Sequence, residues 1–378
     1  MKTVKVILVF LVIFVILLSA FALIRWIDDD SVAPEIFVGI EFAYGNVDEC
    51  KDLVDKVKDY TNLFVIGLPE LTFNQTQLNE ICDYIRAYGL HFIVMFTNPL
   101  VYRYYHPYVW IKKAIEKYGE KFLGVYYYDE PGGKQLDKNS GRMVVEAENY
   151  SEAAKIYVDY LYGHIEYYLY SGVKVFTSDY GLYWFDFKSG YNVVLAQFGW
   201  NHSRQLSIAL CRGAASVQNK EWGVIITWTF MHPPYIGSGE ELFNDLVLAY
   251  KAGAKYFLIF SYPNITRYGT LTEEHFEALE KFWSYVKHNA REYGVYKGEV
   301  GYILPKDFGF GFRNVNDTIW GLWDGGELSK KIWRDVVALF EKYGHHLDIV
   351  YEDEIFDQVI KMRYRIRIFW NETFLSES

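Results

Sequence analysis

Residues 122–133 read Phe122-Leu-Gly-Val-Tyr-Tyr-Tyr128-Asp129-Glu130-Pro131-Gly132-Gly133. An apolar, aromatic run stops at two adjacent acids, and Pro-Gly-Gly then breaks it. Aromatic and β-branched residues over this length, closed by turn-formers, predict a buried strand. Acids at the exit of a buried strand are costly unless something uses them.

Seven further runs of the same kind flank it: Ile36–Ala43, Leu63–Leu68, His91–Thr97, Lys174–Ser178, Val193–Phe198, Gly223–Phe230 and Tyr256–Tyr262. Amphipathic stretches separate most of them: Asp48–Tyr60, Gln75–Tyr88, Tyr108–Tyr118, Ser151–Ser171, Ser203–Gln218 and Glu240–Ala252, with Thr272–Tyr293 following the last run. Segment Asp179–Asn192 reads as a long loop instead. Strands joined by crossover helices are parallel, and eight of them close naturally. The fold class is therefore α/β, a (β/α)8 TIM barrel over residues 34–297. No Gly-rich phosphate loop follows the first strand, which leaves a nucleotide-binding open sheet without support.

After residue 297 the pattern changes. Strands at Glu299–Leu304, Leu347–Tyr351 and Tyr364–Trp370, with helices at Glu327–Tyr343 and Glu354–Lys361, predict a small C-terminal α/β module over 298–378. The connecting stretch 305–326 carries Phe308, Phe310, Phe312, Trp320 and Trp323. It could reach over the barrel mouth or seal the interface. His345-His346 reads as a helix C-terminal cap.

In such a barrel the loops at the C-terminal ends of the strands converge on one cavity. Reading those ends in order gives Glu41, Glu70, Asn98, Asp129 with Glu130, Asp179, Gln197 with Trp200, Trp228 with His232, and Tyr262. Four of the eight strands end in carboxylates, which repel one another in one concave site. Some could instead be turn or cap residues, Asp179 and Glu70 among them.

The Asp129-Glu130-Pro131 exit resembles the Asn-Glu-Pro of the large clan of retaining barrel glycosidases. It is also similar to the fourth strand of family-18 chitinases. Either resemblance implies that Glu130 is the proton donor of a glycoside hydrolase. Asp129 stands where that clan has Asn, and Tyr128 where the chitinases have Asp. The seventh strand, Ile225-Ile-Thr-Trp-Thr-Phe230, ends without an acid. Glycoside hydrolysis needs a second carboxyl group, and the candidates are Glu41, Asp179 and Asp129. Asp129 is the poorest of these, because neighbours on a regular strand point to opposite faces. Tyr128 and Trp228 are expected to desolvate Glu130. Glu70, Tyr44, Asn98, Tyr128, Gln197, Trp200, Trp228, His232 and Tyr262 are the expected sugar-binding set, with Tyr102, Tyr104, Tyr105, Trp184 and Tyr235 as further candidate stacking rings. The alternative reading is a non-catalytic carbohydrate-binding or envelope protein on a degenerate barrel.

Composition agrees with a carbohydrate partner. Aromatics make up 19% of the 378 residues, including 34 Tyr and 11 Trp. Such rings suit sugar faces, although a compositional bias toward Tyr would give the same count. A net charge of -10 without basic clusters argues against nucleic acid. Three scattered cysteines and the histidine spacings suggest neither a disulfide framework nor a metal or cofactor site.

Finally, Val6–Ile24 is apolar except for Ser19, after Lys2 and Lys5 and before Arg25 and Asp28-Asp29-Asp30. Its length and flanks predict a signal-anchor transmembrane helix with a stalk over 1–33, holding the barrel outside the cell membrane. Cleavage near Ala20-Phe21-Ala22 would give a secreted form. Asn-X-Ser/Thr triplets begin at Asn74, Asn149, Asn201, Asn264, Asn316 and Asn371, as in a glycosylated ectodomain.

Overall fold

A computed structural model describes residues 34–138 and 141–372. The expected anchor and stalk at 1–33 lie outside the described residues. Among those described, no helix is long and apolar enough to cross a membrane.

Eight parallel strands close into a barrel in chain order: β1 (Phe37–Phe42), β2 (Leu63–Ile66), β3 (His91–Phe96), β4 (Phe122–Tyr127), β5 (Lys174–Asp179), β6 (Val193–Phe198), β7 (Glu221–Ile226) and β8 (Tyr256–Phe260). Closure is direct, with Phe37 of β1 in register with Tyr256 of β8. Strand alternation divides the apolar residues into two cores. Phe37, Val65, Ile93, Phe176, Leu195 and Leu258 belong to the cluster that fills the barrel. The opposite parity, Val38, Phe64, Val94 and Val194, packs outward against the helices. This is the alternation that the pleat of a β-strand requires.

Helix starts are set by local chemistry. Asn46 with Glu49 and Ser238 with Glu241 form reciprocal capping boxes, each satisfying backbone amides that the first turn leaves open. The stretch expected to be a long loop after β5 contains a helix, Tyr183–Lys188. Six residues are too few to display helical periodicity, and five of them are buried.

The C-terminal part forms a second parallel sheet of β9 (Val300–Leu304), β10 (Leu347–Tyr351) and β11 (Ile366–Phe369), in the order β10-β9-β11. No residue of the stretch 305–326 lines the cavity at the barrel mouth. Phe308, Phe310, Phe312 and Trp320 are buried. Trp320 lies 4.5 Å from the Phe185 ring and 5.4 Å from that of Tyr157, on two barrel helices. His345 and His346 sit in a single 3-10 turn after the helix Glu327–Tyr343, whose C-cap is Gly344.

One guanidinium ties the two sheets together. Arg212, on the barrel helix Arg204–Val217, donates to Asp348 on β10 at 2.8 Å and to the carbonyls of Tyr296, His345 and Leu347 at 2.5, 2.8 and 3.1 Å. Both side chains are buried. Arg212→Ala would leave the Asp348 charge buried and three carbonyls without a donor. The expected loss is about 3–5 kcal/mol of unfolding free energy, read by guanidinium denaturation; a loss below about 1 kcal/mol would show that the pair does not hold the sheets together.

Candidate active site

The inner face of the barrel determines which polar groups reach the mouth. On β1 the inward residues are Phe37, Gly39 and then Glu41. The same parity brings Ser178 on β5, Gln197 on β6, Thr227 after β7 and Phe260 on β8 to the rim of one basin. Tyr126, Asp129 and Glu130 complete its polar side, and Trp200, Trp228 and Tyr262 its aromatic side. The cavity is about 280 Å³, near the lower end of the roughly 300–1,000 Å³ typical of ligand clefts. At the opposite end of the barrel, Glu221 sits between Lys174 (2.5 Å) and Lys255 (2.8 Å). These partners hold its carboxyl down at about 2 against the effect of burial.

Asp129 enters the basin because the strand does not continue regularly. Tyr128 and Glu130 both adopt left-handed backbone, with φ of 60° and 52°. Each such residue costs on the order of 1–3 kcal/mol unless its surroundings hold it. The reversal at Tyr128 sends its ring outward against Tyr160 and His164 and brings Asp129 inward. The second reversal brings in Glu130. The end of β5 clamps this turn: Thr177 Oγ1 donates to the Tyr128 carbonyl at 2.7 Å, and the Glu130 amide donates to the Ser178 carbonyl at 3.0 Å.

Asp179 completes the clamp from below. It is fully buried and lies outside the residues lining the basin. Its carboxyl accepts from the amides of Gly132, Gly133 (2.9 Å), Tyr180 (2.7 Å) and Gly181 (3.1 Å). Gly132 is required there, since a Cβ would fall 2.4 Å from the Gly181 carbonyl oxygen. Asp179 is thus the N-terminal anion of the helix Pro131–Leu136 rather than a group facing substrate. Behind it, Asp186 accepts from Tyr157 at 2.6 Å. Burial, reinforced by the Asp179 charge, raises the Asp186 carboxyl well above its ordinary range. Asp186 lies on a short, mostly buried helix that gave no sequence signal for its place beside Asp179.

Each of the three acids in the basin has a different environment. Asp129 Oδ1 lies within hydrogen-bond reach of the Tyr126 hydroxyl and accepts from Ser178 Oγ at 3.1 Å. Burial and the neighbouring acids keep the Tyr126 hydroxyl protonated. Glu130 Oε1 accepts from Gln197 Nε2 at 2.7 Å. Burial first, and then the Asp129 charge, push the Glu130 carboxyl up to about 7, with the Gln197 bond pulling the other way. Glu41 is 4% exposed, and burial followed by repulsion from Asp129 and Glu130 holds it well above the usual carboxylate range. Its side chain leans over Gly67, where a Cβ would come within 2.4 Å of it.

The aromatic wall is built around Trp228. Its ring lies parallel to Tyr262 (6.0 Å, 19°), edge-on to Trp200 (6.1 Å) and 5.0 Å from Tyr235. Trp228 Nε1 donates to the Tyr262 carbonyl at 2.6 Å.

Several expected site residues lie elsewhere. Asn98 is exposed and caps Leu100 at 3.0 Å. Glu70 is exposed in the short turn Pro69–Thr72. Tyr44 is buried beside Phe42 at 4.5 Å. Tyr128 faces a helix, so it does not desolvate Glu130. His232 is exposed, with Nδ1 3.0 Å from the Pro233 carbonyl. Tyr102 and Tyr105 pack on each other and bond to Thr72, Tyr104 is 89% exposed, and Trp184 packs on Tyr351 and Phe356. Conversely, Tyr126, Ser178, Thr227 and Phe260 line the basin without having been singled out. Counting forward by twos from the inward residues Phe176, Ile225 and Leu258 reaches Ser178, Thr227 and Phe260. Among the described residues no group of His, Cys, Asp and Glu could hold a metal ion.

No family model and no curated protein matches the chain. Solved structures to which the chain is similar include that of the pneumococcal virulence factor StrH, in work on N-glycan recognition and hydrolysis (11% identity, TM-score 0.44, 71% of this chain and 87% of the other). Another is β-mannanase from the blue mussel Mytilus edulis (10%, 0.40, 66% and 92%). A third is D-psicose 3-epimerase from Clostridium cellulolyticum H10 (10%, 0.38, 68% and 99%).

If Asp179 anchors the 128–133 turn, Asp179→Ala strands its amide donors and destabilises the protein by about 3–5 kcal/mol. Asp179→Asn keeps one acceptor oxygen and loses less. Chemical denaturation of the two variants measures the difference; equal stability of wild type and Asp179→Ala would show that the turn holds itself.

Proposed function

We propose that the chain is a glycoside hydrolase in which Glu130 protonates the departing glycosidic oxygen. The observation that carries this reading is the Glu130 carboxyl itself. It is held by Gln197 on the inner side of the basin, raised to about 7, and set beside a second acid, Asp129. A general acid works best when its pKa lies near the operating pH. As the C–O bond breaks, the Glu130 proton goes to the leaving oxygen. Positive charge develops on the sugar ring, and Asp129 is the acid placed to face it, since its Oδ1 is already oriented by Tyr126 and Ser178. Water adds to the anomeric carbon, and its proton returns to the carboxylates. Trp228, Tyr262 and Trp200 supply flat faces for the apolar side of the ring.

Glu130→Gln is expected to lower kcat/KM on an alkyl glycoside by 10²–10⁴-fold and to leave sugar binding intact. Far less should be lost on an aryl glycoside whose leaving group needs no proton. In the wild type, kcat/KM should fall as pH rises through about 7, because the acid must be protonated. A glycan panel turned over equally by wild type and Glu130→Gln would remove Glu130 from the chemistry. Binding without turnover by either would leave the non-catalytic carbohydrate-binding protein.

We also propose that residues 1–33 hold this enzyme on the outer face of the cell membrane. All six triplet asparagines, Asn74, Asn149, Asn201, Asn264, Asn316 and Asn371, are exposed, as a glycosylated ectodomain needs. Protease added to intact cells should release the barrel from the membrane fraction; a barrel protected until lysis would contradict this location.

A further inference from the structure

Among the described residues, none that lines the basin carries a cationic side chain. Its lining has three carboxyl groups, Glu41, Asp129 and Glu130, and five aromatic residues, but no Lys, Arg or His. Lys134 is the cation that acts on Glu130. Its ammonium bonds the Asp129 backbone carbonyl outside the lining. Buried acids elsewhere in the protein have partners. Glu221 has two lysines at the bottom, Asp348 has Arg212, and Asp179 has four amides. Within the basin, Asp129 has hydroxyl donors and Glu130 has Gln197.

Glu41 is the exception. It is 96% removed from solvent, lines the cavity, and makes no side-chain hydrogen bond to any described residue. Burying a carboxyl without a donor is unfavourable by several kcal/mol in general. Its place is secured by Gly67, which leaves room for the carboxyl, so its approach to the other acids is built in. The partner that this arrangement lacks is a positive charge with N–H donors. The aromatic walls suit the same visitor, since ring faces attract cations and also cover apolar sugar faces. Anionic sugars, such as uronates or sulfated units, would meet repulsion from three acids and no counter-charge.

We propose that the basin selects a sugar carrying a free ammonium group, with Glu41 as the charge partner of that ammonium. This rests on the reading of the basin as a sugar site and adds the class of sugar. A bound cation offsets the mutual repulsion of Glu41, Asp129 and Glu130 and displaces a proton from the cluster. Binding is therefore coupled to proton release.

The test is calorimetric and needs no turnover. Glucosamine, N-acetylglucosamine and glucose are titrated into the full-length protein at pH 6 in two buffers of different ionisation enthalpy. Glucosamine should bind at least about tenfold tighter than the other two, equivalent to about 1.4 kcal/mol, and release protons on binding. Glu41→Gln should abolish both the preference and the proton release. Its thermal unfolding should show that it folds, and Glu41→Asp should keep part of the preference. Equal binding of glucose, no binding of glucosamine, or a preference that survives Glu41→Gln would overturn the proposal. Selective amine binding without hydrolysis of any glycoside would overturn the catalytic reading and leave this one standing.

Discussion

The site depends on one constraint: the carboxyl of Asp179 must find its donors in two separate backbone turns. It takes amides from Gly132 and Gly133 after β4 and from Tyr180 and Gly181 after β5. Two loops that would otherwise diverge are thereby fixed to one point at the barrel rim. Thr177 and the Ser178 carbonyl add two more ties from β5 to the same turn. Together they hold Tyr128 and Glu130 in the left-handed region, which isolated residues of these types rarely occupy. The side-chain directions of Asp129 and Glu130 are products of that clamp.

The barrel was legible because its signals are local and repeated. Short apolar runs, turn residues and amphipathic helices recur often enough that the closed parallel sheet follows from counting, and the second sheet after residue 297 is read in the same way. Glu41, Gln197 and Tyr262 were legible because they continue the inward parity of regular strands, while Trp200 and Trp228 enter the basin from the loops after β6 and β7. Three of the misplacements share a cause. Asn98, Glu70 and His232 come after the strand has ended, where a turn and not the pleat decides direction. Each is spent on a cap or on solvent. The two left-handed residues escaped for a related reason: nothing in Tyr-Asp-Glu-Pro announces a reversal at Tyr128, because the groups that enforce it lie some fifty residues away, at Thr177 and Asp179.

The two ends of the barrel show what the acids contribute. At the bottom, Glu221 is matched by Lys174 and Lys255 and its carboxyl is held low, so its contribution to the fold is complete above the ordinary 4.5 and is lost as pH falls through about 2. At the mouth, Glu41 and Glu130 are held high. A carboxyl whose folded pKa exceeds its unfolded value favours the folded state when protonated. For Glu130 that contribution is complete below the ordinary 4.5 and is lost as pH rises through about 7. The mouth is thus less stable than it could be at neutral pH, and residues that weaken a fold in this way are the ones retained for binding or proton transfer.

The acid missing from β7 fits the same picture. In a ring of eight strands, two carboxyl groups can reach one sugar from opposite strands, or from one strand if its backbone turns over between them. Here the inward position after β7 is Thr227, which lines the basin without a charge. Under the proposed function, the turn at Tyr128 supplies the second acid from β4 instead, as Asp129 beside Glu130. A count of acids strand by strand records a deficiency at β7, whereas the backbone dihedrals of residues 128 and 130 place two acids on one wall. Asp129, the poorest candidate by strand parity, therefore becomes the partner nearest in the chain to Glu130, and Glu41 across the basin is left without a hydrogen-bond donor.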